Sequence, residues 1–214
     1  MSQQSTFQSF SDNSLVVTFS TIDIEAAENV IRSCYAAGVR VFEFSHLQNA
    51  SATIIGVINV RLKDLSKLVM GITEVLTESD AEAYIEAGAS FISSPCFVDA
   101  VSDECYQNKI AYIPGCMTLK EVHTAVQAGC EAIKIFPAET LSYSFVNAVK
   151  TIFPKVKCII SGVVLPLEKT YKTWLASGAT SICVGLSIIK SEWIEAKNYV
   201  RIEKAVSEVI NSLR

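Results

Sequence analysis

Histidine is scarce in this chain: His46 and His123 are the only two in 214 residues. A histidine-rich metal centre therefore has too few ligands to form. There is no C-x-x-C pair either. The seven cysteines, at positions 34, 96, 105, 116, 130, 158 and 183, are odd in number and dispersed. That usage fits a reduced, cytoplasmic setting where buried thiols act as small hydrophobes. No apolar run is long enough to cross a bilayer, and the first 13 residues are polar rather than leader-like, so no membrane partner is expected. No basic block occurs and the net charge is −4, which argues against a nucleic-acid partner. Nor does a G-x-G-x-x-G turn follow the first strand-like stretch, as an open dinucleotide-binding sheet would require.

What is present is hydrophobicity, at 50% of residues, in a regular rhythm. Residues 1–13 are Ser/Gln-rich and read as an irregular arm or cap; residues 14–214 read as one domain. Strands are expected at Leu15–Phe19, Arg40–Ser45, Leu68–Thr73, Ser90–Ser94, Ile110–Ile113, from Ala132, Val156–Ser161 and Ser181–Val184. Helices are expected between them, at Ile22–Ala37, Ala50–Leu65, Thr77–Ala87, up to Asn108, Thr118–Ala128, Tyr143–Ile152 and Pro166–Ala176, and then at Trp193–Leu213. Thr118 and Glu121 form a capping-box pattern. Four helix exits end in a small residue plus glycine: Ala37-Gly38, Ala87-Gly88, Ala128-Gly129 and Ser177-Gly178. Eight strands alternating with eight helices imply a parallel sheet, and that count in this length fits an α/β fold of the (β/α)8 TIM barrel type.

Two strands carry one charge each among apolar neighbours. Lys134 sits in Ala132-Ile133-Lys134-Ile135-Phe136, sharing a face with Ala132 and Phe136. Glu43 sits between Phe42 and Phe44, sharing a face with Val41 and Ser45. Inward side chains of a barrel lie in layers drawn from alternate strands, so the second and sixth strands can contribute to one layer. A buried structural ion pair accounts for this pattern. So does amine-plus-carboxylate chemistry, with Lys134 forming an imine and Glu43 moving protons. Such chemistry needs no metal and no cofactor beyond the covalent imine on Lys134. The ends of the last two strands, Ser161-Gly162 and Gly185-Leu186-Ser187, offer glycine and hydroxyl groups where barrels often hold an anion, although single glycines also serve ordinary turns.

From about Leu15 to Ile189 the sequence resembles the 2-keto-3-deoxy-6-phosphogluconate and 4-hydroxy-2-oxoglutarate aldolases. Ile133-Lys134-Ile135-Phe136-Pro137-Ala138-Glu139 resembles the family's Schiff-base lysine segment, and Gly38-Val39-Arg40-Val41-Phe42-Glu43 its catalytic-glutamate strand. Ser93-Ser94-Pro95 and Ile113-Pro114-Gly115-Cys116 match two further strand ends. The resemblance implies a homotrimeric barrel that cleaves a 2-keto-4-hydroxy acid to pyruvate and an aldehyde. Lys134 and Glu43 would be catalytic, with Pro95 and Phe136 lining the pyruvate methyl side. The pattern also departs from the family. Leu47 stands where an arginine is usual, and Glu74 follows Thr73 where the pyruvate-contacting hydroxyl is expected, so that Thr73 would serve only if the backbone shifted. Val163 and Leu186 replace phosphate-site glycines, while Ser187 remains. These changes favour a smaller or less anionic keto acid. They also leave open a lapsed or repurposed barrel that binds a small ligand or a partner; an isomerase on the same barrel ranks last.

Overall fold

Eight parallel strands close on themselves in the computed structural model, which describes residues 2–46, 51–162, 168–185 and 187–213. The strands are β1 (Leu15–Thr18), β2 (Val41–Ser45), β3 (Val69–Thr73), β4 (Phe91–Ser94), β5 (Ala111–Cys116), β6 (Ala132–Ile135), β7 (Lys157–Ile160) and β8 (Ser181–Val184). They pair in sequence order, and β1 pairs with β8 to complete the barrel. The helices between strands are α2 (Ile24–Ala37), α3 (Ser51–Arg61), α4 (Glu78–Glu86), α5 (Asp99–Gln107), α6 (Leu119–Gln127), α7 (Tyr143–Ile152) and α8 (Glu168–Ala176). The chain is a (β/α)8 TIM barrel, as the alternation implied.

Local chemistry explains the boundaries. The Asp23 side chain accepts from the backbone N–H of Glu25 and Ala26, so α2 starts two residues later than its apolar pattern suggests. Gly38 ends it at φ +114°, a left-handed geometry shared by the glycines at 88, 129 and 178. At α6 the Thr118–Glu121 capping box forms in both directions. β5 runs on through Pro114 and Gly115 to Cys116 rather than stopping at Ile113. The expected helix starts at Ala50 and Pro166 lie outside the described residues. The C-terminal helix is two: α9 (Ser191–Glu195) and α10 (Tyr199–Ser212). Lys197 at φ +51° breaks the run, and the Asn198 side chain caps the second piece.

The N-terminal segment corrects the expectation of an irregular arm. Residues Gln3–Asp12 form a helix, α1, capped by the Ser2 hydroxyl. Its buried face, Thr6, Phe7 and Phe10, follows the i, i+3, i+4 spacing of a helix stripe. Phe7 and Phe10 enter the lumen core, which is built from inward residues such as Val16, Val41, Val69, Phe91, Ala132 and Ile159. Phe10 meets Phe91 edge-to-face, with centroids 5.1 Å apart. The Phe91 ring occupies the space that a Cβ on Gly71 would need. α1 therefore closes the N-terminal end of the barrel. The outward residues, among them Phe42, Phe44, Ile133 and Ile135, pack in a second core against the helices.

Candidate active site

Strand alternation splits β2 and β6 as their sequences imply. Val41 and Ala132 belong to the lumen core, while Phe42, Phe44, Ile133 and Ile135 face the helices. The residues between them, Glu43 and Lys134, point into the lumen above the apolar layer. Glu43 is fully buried and Lys134 is 3% exposed. They meet across the barrel: Lys134 Nζ lies 2.8 Å from Glu43 Oε1 and 2.9 Å from Oε2. The pairing register keeps Glu43 beside Thr18 and Gly71, and Lys134 beside Gly115 and Ile159.

Four further strands complete the cluster. Thr73, the last residue of β3, accepts a hydrogen bond from Lys134 Nζ at 2.9 Å. Thr18 of β1 and Ser93 of β4 donate to the Glu43 carboxylate at 3.1 and 3.4 Å. The Cys183 thiol of β8 lies 3.7 Å from Glu43 Oε2. Burial, and then the neighbouring carboxylate, push the Cys183 thiol upward, and burial takes Cys116 to about 12. Both therefore remain protonated packing groups rather than nucleophiles. His46 lies just above this layer. Its backbone N–H donates to the Thr73 carbonyl and its ring Nδ1 meets the Tyr84 hydroxyl.

Of Thr73 and Glu74, it is Thr73 that touches the amine. Thr73 is buried and reaches Lys134 with β3 regular to its end. Glu74 is exposed, in a left-handed conformation at φ +69°, and takes no part in the hydrogen bonds at the amine. Pro95 and Phe136, both half-buried, follow β4 and β6. The Pro95 carbonyl oxygen lies 2.1 Å from where a Cβ on Gly115 would stand, so a glycine at 115 lets β4 and β5 meet beside the lysine. The backbone N–H of Phe136 donates to Cys116 O at 3.4 Å.

Ser161, Gly162, Gly185 and Ser187 converge on a cleft of about 440 Å³ at the C-terminal mouth. Thr18, Ser20, Ser45 and Cys183 line it too, which joins it to the Glu43 cluster. Leu47, Val163 and Leu186 lie outside the described residues. Thr18 and Ser20 are site residues that the sequence reading did not single out, while Ser45 and Ser93 were named only as a face-mate of Glu43 and as part of a matching strand end. Their signal was parity, since Thr18 shares its strand face with the inward Val16 and Ser93 with Phe91. Chemically, the arrangement is a desolvated amine in contact with a carboxylate and a hydroxyl, beneath an open cleft at the end where barrel enzymes work.

Comparison with known proteins agrees with this architecture. The family model for KDPG and KHG aldolase matches residues 9–205. The KHG/KDPG aldolase of Escherichia coli is 26% identical over 193 residues, covering 89% of this chain and 88% of its own. A 2-dehydro-3-deoxy-phosphogluconate aldolase of Treponema pallidum is 30% identical over 118 residues, 55% of each chain. In fold, the chain superposes on a Legionella pneumophila KDPG aldolase, crystallised with pyruvate as a covalent carbinolamine, at TM-score 0.85 and 21% identity; 96% of this chain and 98% of that one are covered. A barrel of this topology, with a match that spans nearly its whole length, places the chain in the KDPG and KHG aldolase family.

Proposed function

We propose that the protein is a Schiff-base lyase that cleaves a 2-keto-4-hydroxy acid to pyruvate and an aldehyde. The observation that carries the reading is the buried contact of 2.8 Å between Lys134 Nζ and Glu43 Oε1, directly below the mouth cleft. Glu43 takes a proton from the ammonium, and the freed amine attacks the C2 carbonyl carbon. The carbinolamine loses its hydroxyl as water, with a proton returned from Glu43, to give the iminium. Glu43, directly or through a water, then accepts the proton of the C4 hydroxyl. The C3–C4 bond breaks, its electron pair moves into the iminium to form an enamine, and the aldehyde departs. Glu43 returns the proton to C3, and water hydrolyses the imine to release pyruvate and the lysine.

In this reading Thr73 Oγ1, already 2.9 Å from Nζ, orients the keto acid at the amine. Pro95 and Phe136 border the methyl side, and Ser161, Gly162, Gly185 and Ser187 face the distal part of the substrate. A homotrimer, as the resemblance implies, belongs to the same proposal and is tested by native mass. The decisive experiment is borohydride reduction with pyruvate, followed by intact mass and peptide mapping. An adduct on Lys134 is expected, and none in Lys134→Met. Glu43→Gln is expected to slow the proton transfers of C3–C4 cleavage and enamine protonation far more than imine formation, where solvent can take over from Glu43 as proton carrier. A well-folded protein that forms no adduct at saturating pyruvate would refute the reading.

A further inference from the structure

The mouth of the barrel is poor in positive charge. The described residues between strand end and helix start are 19–23, 46, 74–77, 95–98, 117–118, 136–142, 161–162, 185 and 187–190. In sequence they hold three acids, Asp23, Glu74 and Glu139, against a single lysine, Lys190, and no arginine. The Lys190 ammonium stands 5.4 Å from the Trp193 ring centroid, engaged with an aromatic face.

The cleft itself presents hydroxyls and apolar walls. Thr18, Ser20, Ser45, Ser161 and Ser187 line it together with Phe19. Ser20 and Ser45 are locked to each other, with the Ser45 N–H donating to Ser20 Oγ at 2.6 Å and Ser20 Oγ donating to the Ser45 carbonyl at 3.1 Å. At Gly162 a Cβ would fall 2.2 Å from Glu139 Oε2, so a carboxylate flanks that backbone turn. A dianion moved from water into such a cleft loses hydration and finds hydroxyl and backbone N–H partners but no cationic side chain among the described lining residues, whereas a neutral hydroxylated chain exchanges water for hydroxyl partners without that cost.

We infer that the substrate fragment beyond the bond being cleaved is uncharged: a short alkyl or hydroxyalkyl aldehyde, rather than a phosphorylated or carboxylated one. This rests on the Schiff-base reading and adds the substrate class to it. The test runs the reaction in the synthetic direction with the purified full chain and pyruvate, offering glyceraldehyde, glyceraldehyde 3-phosphate or glyoxylate. The kcat/KM for glyceraldehyde is expected to exceed that of either anionic aldehyde by roughly tenfold or more, the scale of one missing close charge pair near a protein surface. Ser187→Lys is expected to shift the ratio toward the phosphorylated aldehyde by a similar factor, while the native ratio decides the matter alone if that variant does not fold. Borohydride trapping of pyruvate runs in parallel. An adduct on Lys134 with a preference for either anionic aldehyde overturns this inference and leaves the Schiff-base reading standing; no adduct overturns both.

Discussion

Replacing Lys134 by methionine isolates the electrostatics of the buried pair. The two side chains have similar length and volume, so little cavity is created and the change is in charge. Glu43, fully buried, then loses the ammonium at 2.8 and 2.9 Å and keeps only neutral donors, Thr18 at 3.1 Å, Ser93 at 3.4 Å and the Cys183 thiol at 3.7 Å. Leaving a buried charge without its partner destabilises by about 3–5 kcal/mol. For a chain of this size that lowers the melting temperature by roughly 6–20 °C. Glu43→Gln leaves the ammonium with Thr73 and a neutral amide, and a loss of the same order is expected. In the double variant neither charge remains to be desolvated. Its loss should fall short of the sum of the singles by several kcal/mol, outside the ~0.5 kcal/mol within which independent sites add. Urea unfolding followed by far-UV circular dichroism measures all four corners of the cycle. Additive losses, or a Lys134→Met protein as stable as its parent, would show that the pair is not desolvated as the structure places it, and the account of the amine would fall with it.

Further outcomes follow from neighbouring residues. Thr73→Val keeps the shape but removes the oxygen 2.9 Å from Nζ; with a hydrogen bond to a charged group worth about 1.5–3 kcal/mol, kcat/KM should drop about tenfold or more while the melt changes less than in Lys134→Met. An unchanged kcat/KM would remove Thr73 from the site. Phe10→Ala should destabilise by about 3–5 kcal/mol in a denaturant titration, because it empties the closed end of the barrel; a neutral result would mean that α1 is not seated there. Thiol titration of the native protein at pH 8 should modify Cys96, the exposed cysteine, and spare the other six until unfolding. Burial takes Cys34, Cys105 and Cys130 to about 12, which leaves almost no thiolate at that pH; uptake of several equivalents by native protein would contradict the packing.

The barrel was legible because period-two strands and glycine-ended helices repeat along the chain, and repetition survives errors at any one boundary. Lys134 and Glu43 were legible because a lone charge in an apolar strand has few explanations. Thr18 and Ser93 were harder: a hydroxyl in a strand is chemically ordinary, and only the register that sets Thr18 opposite Glu43 gives it a role. The contact of Thr73 with the lysine was not legible, because it depends on the barrel closing and not on position along the sequence. The left-handed turn at Glu74 carries the carboxylate side chain away from the strand's alternation, and this is a backbone property that no composition rule reveals. The opening helix was hidden by its serines, which compete for the backbone and weaken helix propensity, although Phe7 and Phe10 mark its buried stripe. The break between α9 and α10 depends on one positive-φ lysine, a residue type with no special preference for that conformation.

The helix that seals the lower end of the barrel also sets an order of events. With that end filled by Phe7 and Phe10, the cleft at the opposite end, which shares Thr18 and Cys183 with the Glu43 cluster, is the approach to the amine that the described residues offer. In the proposed reaction the tethered pyruvate fragment sits deepest, and the aldehyde stands between it and the solvent. Cleavage must then release the aldehyde first and pyruvate last, and synthesis must load them in the reverse sequence. An aldehyde that enters that cleft before pyruvate stands in its way, so excess aldehyde should inhibit synthesis in competition with pyruvate.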